Sequence, residues 1–355
     1  YRLGQQNNPL ILQYGFSALS DISHEVKQFS QEFRLQGDGE RLDWYLSALV
    51  WEESHNTDWN DLFWLREGGF DILLLFGAQT ATSPDYSTPT TVLKRDVDHS
   101  SLAASLTYSI TPAARLTLEG RYLRESQDYF GTGEDRGASS ALGTCDFMFN
   151  PRSACPSASV NIKDSAFVPR LSFDYQATDD LFFYASYAEG FKPGGVDTLS
   201  ANANVTDGRF REERLHAIET GVKSFMLDNR LRLNISLFNY RYVDQQQNVQ
   251  LVVGNTLSTN VVNAGRTDVD GAELDMEMRI SESLTAGFGY VHADARYADF
   301  NLADIAAQAG GASLSSNGLA DAGNAEGDFG GKQVRMTAKD AVTMNLRYEN
   351  SLSQS

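Results

Sequence analysis

Strict alternation of apolar and polar residues, repeated in segment after segment, constrains this chain more than any other feature. Between Ser101 and Ile110 the apolar set is Leu102, Ala104, Leu106, Tyr108 and Ile110, with Ser101, Ser105, Thr107 and Ser109 between them. Between Ala272 and Ile280, Leu274, Met276, Met278 and Ile280 stand against Glu273, Asp275, Glu277 and Arg279. Period two puts each set on its own face of an extended strand, whereas a helix would mix them. The same pattern runs through Val26 to Gln36, Arg41 to Glu52, Arg115 to Glu125, Val168 to Ala177, Leu181 to Phe191, Leu231 to Tyr242, Leu284 to Tyr297 and Val342 to Glu349, and more weakly through Leu215 to Met226. These make about eleven strands, each near the roughly 9 to 11 residues that cross a bilayer at a tilt.

The connections separate a soluble sheet from a membrane wall. Short ones alternate with long ones. Gly37-Asp38-Gly39, Thr111 to Ala114, Thr178-Asp179-Asp180, Asp228-Asn229 and Ser281-Glu282-Ser283 are turns rich in residues that tolerate turn dihedrals or bond their own backbone. Between them lie polar stretches, roughly Ser54 to His99, Gln127 to Ala166, Pro193 to Glu212, Asp244 to Gly265 and Ala298 to Ala341, longer than a compact domain normally leaves structureless. A soluble sheet with one solvated face explains the alternation but not this asymmetry. An all-β fold follows, an antiparallel transmembrane β-barrel with short periplasmic turns and long extracellular loops. Arg34, Asp43, Arg121, Arg170, Asp174, Lys223, Arg232 and Arg347 recur within the strands. On the lipid face Arg or Lys would cost about 2–4 kcal/mol near the midplane, so these side chains are expected in a wide, wet or plugged lumen. Trp44, Trp51, Phe182, Tyr184, Phe238, Tyr240, Phe288 and Tyr290 stand within or near strand margins, where rings suit the headgroup level.

Bulk properties exclude other classes. The formal net charge of -18 makes nucleic acid a poor partner. Mean hydropathy is -0.35, and the strongest aliphatic run, Ile72 to Phe76, is far short of the about 20 residues a membrane helix needs. The chain opens at Tyr1 with no basic and apolar export segment, so any export signal is expected to have been removed or to lie upstream.

No constellation for catalysis is legible, so no enzyme, metal site or cofactor is expected. The five histidines, His24, His55, His99, His216 and His292, lie far apart in sequence and none has zinc-site spacing. His292 and Asp294 can share a strand face, and a satisfied lumen or rim pair explains that better than a metal site. Ser153 lacks a nucleophile elbow, and Gly330-Gly331-Lys332 is followed by Gln333 where a phosphate loop needs Ser or Thr. Cys145 and Cys155 stand in one polar stretch. In the oxidising compartment of an outer-membrane protein they are expected to form a disulfide, the alternative being two free thiols.

Four stretches resemble TonB-dependent outer-membrane receptors of the siderophore-receptor-like group. They are Phe29 to Leu35 with Arg41 to Tyr45; Leu181 to Gly195 with its Gly-Phe-Lys-Pro-Gly exit; Glu213 to Gln245; and Asn263 to Gly265 followed by Gly271 to Leu274 and Tyr290 to Ala295. The resemblance implies a barrel of about 22 strands, with residues 1–355 as a partial barrel domain. The family's plug domain, TonB box and final strands are not recognisable here. It implies Gram-negative outer-membrane location and energised uptake of a scarce, large solute, a ferric siderophore first, with energy from the TonB–ExbB–ExbD complex acting through the plug. Cobalamin and saccharides use the same wall with different loops. A passive porin would share the alternation and loop asymmetry, with about 16 to 18 strands. A hydrolase or adhesin would show a rim Ser-His pair or a passenger, and neither is seen. Solute capture by the outer loops is expected to draw on Trp59, Phe63, Trp64, Tyr129, Phe130, Phe147 and Phe149.

Overall fold

The computed structural model describes residues 2–3, 10–12, 16–65, 90–134, 158–196, 209–253, 256–301, 313–314 and 328–349. Within them, eleven long strands follow one another in a single antiparallel sheet: β1 (Phe16–Gly37), β2 (Leu42–Leu65), β3 (Thr90–Thr111), β4 (Ala114–Glu134), β5 (Ala158–Thr178), β6 (Leu181–Lys192), β7 (Glu213–Met226), β8 (Leu231–Val243), β9 (Arg266–Arg279), β10 (Leu284–Asp299) and β11 (Asp340–Tyr348). Each pairs with its neighbours in the chain, the up-and-down order that short turns allow. The five turns fall where the sequence places them. At the β7–β8 turn Leu227, Asp228 and Asn229 all take positive φ, a conformation Asp and Asn tolerate better than most residues.

The burial pattern is inverted relative to a soluble sheet. Along β3, Leu102 is 63% exposed while its neighbour Ser101 is 7% exposed. Phe33, Leu35, Phe167, Leu237, Met344 and Leu346 are likewise exposed, each on the same face of the sheet as its paired apolar neighbours. An apolar face of this extent is stable against hydrocarbon, not water.

That face changes character along one line crossing all eleven strands. In register order the last apolar residue and the polar one that succeeds it are Phe29 and Lys27, Val50 and Glu52, Leu102 and Ser100, Tyr122 and Arg124, Phe167 and Ser165, Tyr187 and Glu189. The line continues through Ile218 and His216, Leu237 and Asn239, Ala272 and Asp270, Tyr290 and His292, and Val342 and Asp340. Between it and the short turns lie at least seven residues on every strand and nine on β1 and β2, close to the roughly 9 to 11 that a tilted barrel strand needs.

The first five strands run well past this line. β1 has 22 residues and β2 has 24, and at about 3.4 Å per residue 22 residues extend about 75 Å along the strand, about twice the roughly 9 to 11 residues with which a tilted strand crosses the hydrocarbon. Much of what the sequence marks as loop is therefore paired strand, including 54–65, 90–99, 127–134 and 158–166. Stretch 244–265 is likewise a hairpin, Gln246–Val253 with Thr256–Asn263. The reason is physical: alternating hydropathy reports lipid contact, whereas the backbone ladder continues past the line through residues in which charged and apolar types no longer sort by face.

Candidate functional site

The inner face carries the charges. Glu32 accepts from Ser47 Oγ at 2.7 Å and Tyr45 Oη at 3.3 Å, and pairs with Arg34. Arg170 reaches Glu119 at 3.5 Å, Arg115 reaches Asp174 at 3.6 Å, and Arg232 bridges Asp275 at 3.3 Å and Glu277 at 3.8 Å. Tyr184 donates to Glu219 Oε1 at 2.6 Å, and Lys223 Nζ lies 5.4 Å from the Tyr184 ring centre. All eight strand charges singled out in the sequence occupy this row, opposite the apolar face, by the registers of their strands. On this row the charges find ionic, hydroxyl and ring partners away from the apolar face.

Above the line the same inner row continues as a wall of paired strand. His99 Nδ1 lies 3.1 Å from Glu125, and the His99 ring stands edge-on to Trp51. His24 and His55 face each other, with His55 also paired to Glu53 and Arg95 reaching Glu53 at 3.2 Å. Sequence distance concealed this, since His24 and His55 meet only through the register that pairs Val26 with His55. His216 sits with Tyr187 and Glu189, outside the wall. His292 bonds Asp340 at 2.7 Å, while Asp294, on the same row, is held by Arg296 and Lys339. The pairing considered from sequence for His292 is thus replaced by one across strands.

The Gly-Phe-Lys-Pro-Gly exit folds onto this wall. The Gly194 amide donates to Asp164 Oδ2 at 2.9 Å, and its carbonyl accepts from Gln127 Nε2 at 3.1 Å. A Cβ on Gly194 would lie 2.6 Å from the Phe210 carbonyl oxygen, because Gly195–Val196 pairs with Arg209–Phe210 beside it. Glycine is required here for close approach of two backbones.

Of the expected capture residues, Trp59, Phe63 and Trp64 belong to β2, their backbones paired with Ile22, Ala18 and Ser17, so they stand on a strand and not in a loop. Tyr129 and Phe130 likewise belong to β4. As successive strand residues these two point to opposite faces: Tyr129 is buried on the row of Gln127, and Phe130 is 38% exposed on the other. Phe147, Phe149, Cys145 and Cys155 lie outside the described residues. Among the described residues, no group of three or more His, Cys, Asp or Glu is placed to hold a metal ion.

The sequence profile of the family described as "TonB dependent receptor-like, beta-barrel" matches residues 2–353. The chain is 28% identical over 128 residues to the probable TonB-dependent siderophore receptor PiuA of Acinetobacter baumannii, a stretch covering 34% of this chain and 16% of that receptor. It is 28% identical over 139 residues to the metal-pseudopaline receptor CntO of Pseudomonas aeruginosa, covering 39% of this chain and 18% of that one. Among solved structures, the ferric yersiniabactin uptake receptor FyuA of Yersinia pestis superposes with a TM-score of 0.59 at 15% identity, over 93% of this chain and 40% of FyuA. The unliganded ferric citrate transporter FecA superposes with a TM-score of 0.61 at 13% identity, over 96% of this chain and 42% of FecA. The chain thus spans less than half the length of these receptors. The profile match over nearly the whole chain, on a sheet with its apolar face outward and its charges inward, shows that the chain belongs to the TonB-dependent receptor β-barrel family of the bacterial outer membrane.

Proposed function

We propose that the protein of which this chain is part of the barrel wall is an active-transport receptor for a scarce, large solute, a ferric siderophore. The family match over residues 2–353 carries the reading. Support comes from a relative named as a siderophore receptor and from a wall that continues as paired strand above the lipid, forming a vestibule tall enough to enclose a bulky chelate. Energy comes from the TonB–ExbB–ExbD complex acting through a plug, and outer-membrane lipid surrounds the apolar band. Tyr129, with Trp59, Phe63, Trp64, Phe130, Phe147 and Phe149, supplies aromatic surface for capture. Family membership favours this over a passive porin. The chemistry is displacement of solute across a barrier, with no bond made or broken.

Within this reading a chelate of another metal is the second candidate, because one relative is named as a metal-pseudopaline receptor. Cobalamin or a saccharide is the remaining alternative. The test is growth of a deletion strain under iron limitation, with and without a panel of ferric siderophores, together with radiolabelled iron uptake. Loss of uptake for one chelate is expected. Unchanged uptake of every ferric chelate would overturn the iron assignment.

A further inference from the structure

From the vestibule wall we infer a divalent transition-metal site, for Cu²⁺ or Zn²⁺, formed by His24 Nε2 and His55 Nδ1. The two nitrogens lie 3.3 Å apart, and the ring centres are 5.2 Å apart with planes inclined by 51°. Two imidazole nitrogens on one tetrahedral ion at about 2.05 Å each lie about 3.3 Å apart, with ring centres about 5.2 Å apart. A straight N–H···N bond of the same length would hold the ring centres about 0.4 Å farther apart. The rings therefore already stand at the separation of a chelating pair.

The far side of each ring is fixed as a metal-binding histidine requires. His55 Nε2 pairs with Glu53, which Arg95 holds at 3.2 Å, and His24 Nδ1 lies 2.7 Å from Thr57 Oγ1. A carboxylate or hydroxyl accepting from the outer ring nitrogen leaves the inner nitrogen bare and basic. With Glu53 accepting, His55 Nδ1 is a lone pair aimed at His24. If Thr57 donates to His24, one N–H fills the gap between the rings. If Thr57 accepts, two lone pairs converge, and only a cation relieves them. Metal binding selects the second arrangement.

Two protein ligands leave the remaining positions to water or to donors on an arriving molecule. Imidazole pairs suit copper and zinc. Both histidines lie above the polar line on the inner row, where a solute entering from outside arrives. The inference stands independently of siderophore uptake, since it concerns a bare metal ion.

The experiment uses the full-length receptor in detergent, with any affinity tag removed, titrated with CuSO₄ and separately with ZnCl₂. Electron paramagnetic resonance of the copper form is expected to show coupling to two imidazole nitrogens. His24→Ala and His55→Ala should each remove one nitrogen and weaken binding at least tenfold. Glu53→Gln, acting through His55, should weaken binding about 10–100-fold with both nitrogens retained. His99→Ala should change neither. Heat-modifiable migration on gels confirms that each variant folds. Wild-type protein without a two-nitrogen copper signal overturns the site, whatever the variants do, as does wild-type affinity in a folded His24→Ala/His55→Ala double variant.

Discussion

The backbone of Gly194 is clamped between two strands: its N–H donates to Asp164 on β5 at 2.9 Å while its carbonyl accepts from Gln127 on β4. The exit of β6 is thereby drawn across the inner wall and does not rise freely from the rim. Gln246 joins the same knot, its side chain donating to the Pro193 and Arg211 carbonyls at 2.9 and 3.0 Å. A sequence signature that reads as a family mark thus has a mechanical reason, the bending of a strand end back onto its own sheet.

Asp164→Ala leaves the Gly194 amide without its acceptor, at a cost of about 1–3 kcal/mol for a buried donor. With the clamp gone, the Gly195–Val196 pairing with Arg209–Phe210 should loosen and open the chain to trypsin at Arg209 and Arg211 in the folded protein. Limited proteolysis followed by mass spectrometry checks this, and a digestion pattern equal to wild type would show that the clamp does not hold the segment.

Gly271 makes a second prediction. A Cβ there would overlap the Phe238 ring and the His292 carbonyl oxygen, because Phe238 on β8 lies directly opposite Gly271 on β9 and covers it. Gly271→Val should destabilise the barrel by about 1–3 kcal/mol through overpacking. Gly271→Val combined with Phe238→Ala should recover part of that loss, measured as the shift in urea midpoint for refolding into vesicles. Additive losses would mean that the two residues do not interact.

All eleven wall strands and the five short turns were legible from residue order alone, because hydrocarbon on one side and water on the other imposes period two wherever a strand crosses the membrane. Strand β7 alternates poorly for a local reason: its inner row carries Leu215, Ala217 and Gly221, and Gly221 must be bare because the Tyr184 ring lies against it. The strand extensions were not legible. Above the polar line both faces meet water, as with Glu25 and Lys27 on the outer row and Glu53 and His55 on the inner one, so no hydropathy period survives. The His24–His55 pair was hidden for another reason, since register decides it and a lone histidine carries no register information.

For the loop cysteines, Cys145 and Cys155 are expected to be joined in the exported protein, given their ten-residue separation and the oxidising compartment that an outer-membrane protein traverses. Intact mass before and after reduction should rise by two hydrogens, with two alkylation sites appearing only after reduction. Alkylation of both residues in the unreduced protein would refute the bridge.

The face assignment underlies everything else and can be tested at two adjacent positions on β3. Leu106 is exposed and stands midway along the apolar row from Leu102 to Ile110, while Ser105 belongs to the inner row opposite Glu119. Leu106→Arg places a guanidinium near the middle of the hydrocarbon and should cost about 2–4 kcal/mol. Ser105→Arg places the same group beside Glu119 in the aqueous interior and should change stability by less than about 1 kcal/mol. Equilibrium folding into phosphatidylcholine vesicles across a urea series measures both. If the Ser105 variant suffers the larger loss, or the two lose equally, Leu106 does not face lipid and the sheet has been turned inside out.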